Sequence, residues 1–427
     1  MSSSTLFDSR YARHRNALLD ELLIYIRGTY VAEEEAAMRI ESVDPELLAQ
    51  RSGRGFVNRD ILETVLGNLL ECVAPGSHNA RMPDSRCEPL RHGLRELADQ
   101  LYAMIAQSLL AAGESGDMEE RALHNAFGLL YELPHLKQRA LWNRFASLRD
   151  PAVWDAYLMH NCPQHSAGLA AVDFAAELER SIRSRDMDHY RRFMHDLGCE
   201  AAVDYQLQLV MCTYPGWRVL LYHDAAHALT HRGPVTGNSE LERTPVPFLP
   251  RAVSELGGRY YQADLHPETR IGDANFLDHT HHGVTTGQTG VIGSGCHLLP
   301  CTMGGLSEKV QQRHPLVGNY VFVGTDVGLF GSVRIGDDAV VGPNTEIHGN
   351  VEVGSTCRIG ASAFIGTIKS GDAMPGRIRL GEGVRVGAGT IVENSSRLDL
   401  VIPDYAEVPA RSHVTNDGFG RPCYTRG

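Results

Sequence analysis

The sequence predicts an α+β chain: an N-terminal all-helical region followed by a parallel β-helix built from hexapeptide repeats. Three observations predict it. Before residue 260, apolar residues recur at three-to-four spacing, as they do on helices with one buried face. After residue 260 the spacing becomes six. Glycine accounts for 43 of 427 residues, above the usual level of about seven per cent, which points to an architecture with many close turns.

The helical part comes first. Leu18, Leu19, Leu22, Leu23 and Ile26 form one stripe, and Leu94, Leu97, Leu101, Ile105 and Leu109 another. Asp60 stands before Ile61, Leu62, Val65, Leu66 and Leu69 and is placed to cap that helix. Gly113 to Gly116 read as a loop, and Arg232–Gly233–Pro234 with Thr236–Gly237–Asn238 as another break. At about 150 residues per domain, the length predicts two to three domains. We divide the chain into a helical region over 1–160, a second helical region over 161–260, a β-helix over 261–395 and a tail over 396–427.

The repeat follows. Val317, Val323, Leu329, Ile335, Val341, Ile347, Val353, Ile359 and Ile365 are each six residues apart, and glycine follows seven of these nine. The period resumes at Leu380, Val386 and Val392, and exists upstream at Leu265, Ile271 and Leu277, then at Thr286, Ile292 and Leu298. Six fits neither a helix nor a lone strand. It fits a short strand and a turn repeated around a three-sided coil, with each aliphatic side chain pointing inward and successive coils covering one another.

Composition excludes several function classes. The net charge is −12, a poor footprint for binding nucleic-acid phosphates. No run approaches about eighteen apolar residues, so no membrane span is expected, and acidic residues interrupt the first apolar stretches, so no signal peptide is expected. The nine cysteines are scattered with no CxxC pair. Reduced thiols in a cytoplasm fit this better than disulfides or a thiolate metal site.

The six-residue register breaks between Leu277 and Thr286 and again between Leu298 and Val317. Insertions in a solenoid become outer loops, where sites are often built. The motifs at these breaks are DLHPETRIGDANFLDH over 264–279 and CTMGGLSEKVQQRHP over 301–315, with MCTYPGWRVLLYHDAAHAL upstream over 211–229. In this order they resemble the serine O-acetyltransferase family of hexapeptide-repeat acyltransferases, in which a helical region with a YPG-like turn leads into a left-handed β-helix. The resemblance covers roughly residues 190–350.

The resemblance implies acetyl transfer from acetyl-CoA to the hydroxyl of L-serine, with no metal. A serine hydroxyl needs a base at neutral pH. His279 is the candidate, and by the family match Asp264 is the carboxylate that orients it. An amino-acid acceptor carries an ammonium and a carboxylate. The resemblance assigns Asp278 to the first and Arg313, with His314 beside it, to the second. A second acid is expected from the helical region: Glu200 by position, with Asp204 as the rival. For the donor, the resemblance implies Gly304, Gly305, Gly324 and Thr325 along the CoA groove, with Lys309 near a CoA phosphate. Family members bind CoA between subunits, which implies a trimer or a pair of trimers.

Departures from the family pattern also carry expectations. After the base the stretch HTHHGVTTGQT is one residue longer than the family's turn, His281 and His282 replace small residues, and Gln288 stands where a glutamate is expected. These changes alter the acceptor wall and keep other hydroxy- or amino-acid acceptors open. The chain ends CYTRG, so docking to cysteine synthase through a C-terminal isoleucine is not expected. A histidine-bound zinc enzyme and a non-catalytic trimeric stalk are the alternatives from other classes; the spacing of His279, His281 and His282 fits zinc poorly, and the intact acid–base residues speak against a stalk.

Overall fold

A computed structural model describes residues 9–27, 59–74, 90–114, 116–155, 173–199, 201–306, 312–368 and 374–426. Two compact units emerge, one from residues 1–141 and 218–260, the other from 142–217 and 261–427.

The first unit is helical. Its helices include Ser9–Arg27, Arg59–Val73, Leu90–Ala111 and Met118–Tyr131, with a small antiparallel hairpin of Gly233–Val235 and Asn238–Arg243 at the break expected from Gly233 and Gly237. The predicted stripes are its core: Leu19, Leu22, Leu94, Leu97, Ile105 and Leu109 are all buried. Asp60 lies inside the helix that begins at Arg59, not ahead of it. Two arginines of this unit are paired: buried Arg15 reaches both oxygens of Asp99 through Nη1 at 2.9 Å, and partly buried Arg139 forks onto the buried Asp224 at 2.7 and 2.9 Å. Buried charges are tolerated only when paired in this way.

The second unit contains the repeat, and it is a parallel left-handed β-helix. Three sheets form its faces. The first face starts at Ala263–Asp264, the second at Arg270–Ile271 and the third at Phe276–Leu277. Strands stack in parallel with a spacing of 18 residues where the coil is regular, as when Leu316 pairs with Arg334 and Phe322 with Val340. All nine aliphatic residues from Val317 to Ile365 point inward and are buried. Ile271, in the first coil, is only partly buried.

The glycines that follow these residues are explained by close approach. A Cβ on Gly324 would lie 2.8 Å from the backbone nitrogen of Pro343, and one on Gly342 would lie 2.7 Å from that of Ala361, each on the next coil. Several left-handed positions of the corners are filled by other residues, among them Tyr320, Asp326, Asp338 and Asn344.

The two register breaks are corner insertions. Ala263 pairs with Val284, a coil of 21 residues, and the extra length sits between Leu277 and Val284. The second insertion follows Cys301–Gly304. The ladders run past residue 395: Leu400–Ile402, Glu407–Val408 and Ser412–Asn416 each extend a face, and Pro422–Arg426 folds back antiparallel on Ser412–Asn416.

Candidate active site

The site residues gather at two corners, one at each end of the first face. The third-to-first corner spans 278–283. Asp278 follows strand Phe276–Leu277, and its side chain is only 13% exposed. One of its oxygens lies 3.6 Å from His279 Nε2 and the other 3.6 Å from His297 Nε2. Both distances are longer than a hydrogen bond. His279 adopts a left-handed backbone with φ +49°, which turns the chain sharply into the Thr280–His282 turn. Its side chain is 60% exposed, so solvent and ligands can reach it. His297 is held from one coil further on, stacked on Phe276 at 4.6 Å.

A second carboxylate, which the sequence reading missed, is tied to this corner through Tyr214. Asp150 caps the helical turn that follows it, accepting from the Ala152 N–H at 2.9 Å, and also accepts from the Tyr214 hydroxyl at 2.5 Å. The Tyr214 ring packs edge-on against Phe276. Burial, then Asp150, then Asp278 push the Tyr214 pKa upward, so the hydroxyl stays protonated and donating. Gly216 of the YPG turn permits this approach, because a Cβ there would meet the Leu277 carbonyl at 2.1 Å. The signal in the sequence was Asp150–Pro151, a cap followed by proline at the first helical position, which reads equally well as structure.

The first-to-second corner holds Arg313 and His314. His314 is 8% exposed. Its Nδ1 accepts from the Thr289 N–H at 3.2 Å and sits 3.0 Å from Thr289 Oγ1. That leaves the proton of the neutral ring on Nε2, as a donor. Burial, Arg313 and His266 lower its pKa below the ordinary value. Gly287 and Gly305 make room for the ring, since Cβ atoms there would lie 2.0 and 2.9 Å from it. Arg313 Nη2 donates to Gln288 Oε1 at 3.2 Å. Beside Arg313 opens a groove of about 330 Å³, lined by Leu306, Gly331, Asn350, Thr367 and Met374 among others.

The remaining predicted residues fall as follows. Asp264 ends strand Ala263–Asp264 of the first face, in the coil that His279's corner completes, and its carbonyl accepts from the Thr286 N–H at 2.9 Å. Among the described residues, the carboxylate that His279 meets is Asp278. Gly324 and Thr325 lie on the same edge as His279, whereas Gly304 and Gly305 lie on the edge of Arg313. Asp204 is exposed and pairs with Arg191 at 2.8 Å; the acid that touches the Tyr214 group is Asp150. Glu200 and Lys309 lie outside the described residues. The inward thiols Cys296 and Cys301 are pushed up by burial to about 11 and about 12, so neither is a nucleophile at neutral pH. Among the described residues, no group of three His, Cys, Asp or Glu side chains is placed to hold a metal, and no helix is long and apolar enough to cross a membrane.

The fold is that of the hexapeptide-repeat transferases. The profile for bacterial transferase hexapeptide (six repeats) matches residues 332–367. A serine acetyltransferase from Helicobacter pylori is 34% identical over 136 residues, 32% of this chain and 72% of that protein. One from Synechococcus elongatus is 32% identical over 137 residues, covering 32% of this chain and half of the relative. The chain belongs to the serine acetyltransferase family. A crystal structure of Entamoeba histolytica serine acetyltransferase 1 in complex with L-cysteine aligns over 82% of this chain and 98% of that one, with a TM-score of 0.45 and 17% identity.

Proposed function

We propose that this protein transfers the acetyl group of acetyl-CoA to the hydroxyl of L-serine, giving O-acetylserine and CoA. His279 takes the hydroxyl proton as the serine oxygen attacks the thioester carbonyl. The tetrahedral intermediate then collapses, the C–S bond breaks, and the imidazolium returns its proton to the leaving thiolate. Asp264 orients the ring during the reaction. Asp278 and Asp150 receive the ammonium, while Arg313 and the Nε2–H of His314 receive the carboxylate. The donor lies along Gly304, Gly305, Gly324 and Thr325, with Lys309 toward its phosphates. The setting is cytoplasmic.

One observation supports this reading most: the two charged corners stand at opposite ends of one face. A four-residue strand such as Cys301–Gly304 spans about 13 Å, too far for a serine molecule to bridge. The base corner of one chain therefore works with the arginine corner of a neighbour, in a trimer or a pair of trimers. A closed ring of identical subunits brings unlike edges together in this way. The test is thiol release from acetyl-CoA with serine, homoserine, threonine and acceptors lacking a carboxylate. Serine is expected to be the best acceptor. Turnover restricted to acceptors without a carboxylate defeats the assignment of Arg313.

A further inference from the structure

Gln288, which stands where the family pattern leads one to expect a glutamate, is bound at both ends. Its Oε1 accepts from Arg313 Nη2 at 3.2 Å, and its Nε2 donates to Glu268 Oε2 at 2.7 Å. Only a carboxamide does both. A carboxylate at 288 cannot donate to Glu268, and two carboxylates at that distance repel. The three residues come from the same corner on three successive coils. The neighbouring residue, Thr289, holds His314 through its N–H and hydroxyl, so one turn positions both groups of the acceptor half. Among the described residues, no carboxylate lies within ion-pair distance of Arg313.

We infer that Glu268 and Gln288 are positioning residues that hold Arg313 through a neutral contact and so reserve its charge for the carboxylate of an amino-acid acceptor. Gln288 fixes the direction of the guanidinium without cancelling its charge, and Glu268 fixes Gln288. The pair thereby determines specificity for zwitterionic acceptors over hydroxy-amines. This rests on the acceptor reading proposed above.

The test uses the full-length protein and three forms: wild type, Gln288→Glu, and the swap Glu268→Gln with Gln288→Glu. In Gln288→Glu a carboxylate competes for Arg313, and KM for serine is expected to rise roughly 5-fold, the worth of one exposed ion pair, with kcat changed by less than about twofold. The swap rebuilds an amide–carboxylate bridge but keeps the charge against Arg313, so KM is expected to stay raised. Inhibition by ethanolamine, which has the hydroxyl and ammonium of serine but no carboxylate, is expected to be unchanged. Recovery of the wild-type KM in the swap, or weaker ethanolamine inhibition in step with serine binding, overturns the inference and assigns the bridge a purely structural role. Wild-type protein that turns over no amino acid defeats the serine acetyltransfer reading itself, a result distinct from either.

Discussion

The two corners of the first face differ in how they hold a histidine. At one, His279 sits on a left-handed backbone with most of its ring exposed, touched by one carboxylate at 3.6 Å. At the other, His314 is buried between two glycines and fixed by Thr289 to a single tautomer. A base that must take up and return a proton has to meet its substrate at an open edge, as His279 would on the proposed reading. A group that only has to bind can be fixed in place beforehand, which lowers the cost of ordering on binding. On the proposed reading, catalysis and recognition are separated on one chain, and a symmetric oligomer would reunite them.

The largest expected effect comes from the open corner. His279→Ala is expected to lower the rate by about 10²–10⁴, the usual size of a general-base contribution. His279→Asn should lose as much rate with less loss of stability, because asparagine tolerates the left-handed backbone. Near-normal turnover in either variant removes the base assignment. Mixing refolded His279→Ala with Arg313→Ala chains should restore activity to roughly a quarter of the sites, as random assembly of a closed ring gives. No recovery in verified mixed oligomers would show that each chain holds a whole site.

Asp150→Asn comes next. Losing a charged partner for the ammonium is expected to lower kcat/KM for serine roughly 10- to 100-fold, with a smaller effect on acceptors that lack the ammonium. At the closed corner, Gly287→Ala drives a methyl into the His314 ring. It should cost about 1–3 kcal/mol in denaturant unfolding and raise KM for serine, while the same change at Gly113, where a Cβ meets nothing, should cost only its backbone strain.

The smallest effect is on pH dependence. Because His314 titrates below its ordinary value of 6.5 when folded, folding favours its neutral form. Its contribution to stability is complete above about pH 6.5 and is lost as pH falls through the lower folded value. His314→Gln is expected to flatten that segment of the stability profile, measured by unfolding at a series of pH values between 4.5 and 7.5 or so.

Much of the fold is legible in the sequence. The six-residue period names its own fold, because every six-residue rung repeats the same demand: one aliphatic residue inward and, after most of them, a glycine where successive coils touch. The corners that carry His279, Asp278, Arg313 and His314 were legible because insertions in a regular solenoid show as breaks in register; the roles proposed for these residues came from the family resemblance. Asp150 was not. It lies 128 positions before Asp278, in the helical stretch, and its local pattern is that of a helix cap. Nor was the link from Glu268 through Gln288 to Arg313, whose members are separated by 20 and 25 residues and meet only when three coils of unequal length stack.

The sequence alone determined the β-helix, its inward rungs and the residues that interrupt it, since a short repeat specifies local geometry and inward burial together. Only the tertiary structure decided which corners those residues occupy, that Asp150 bonds to Tyr214 beside Asp278, and that the His279 and His314 corners lie at opposite edges of one face. Such facts depend on the length of each coil summed over the stack, and on side chains that meet through space, not along the chain.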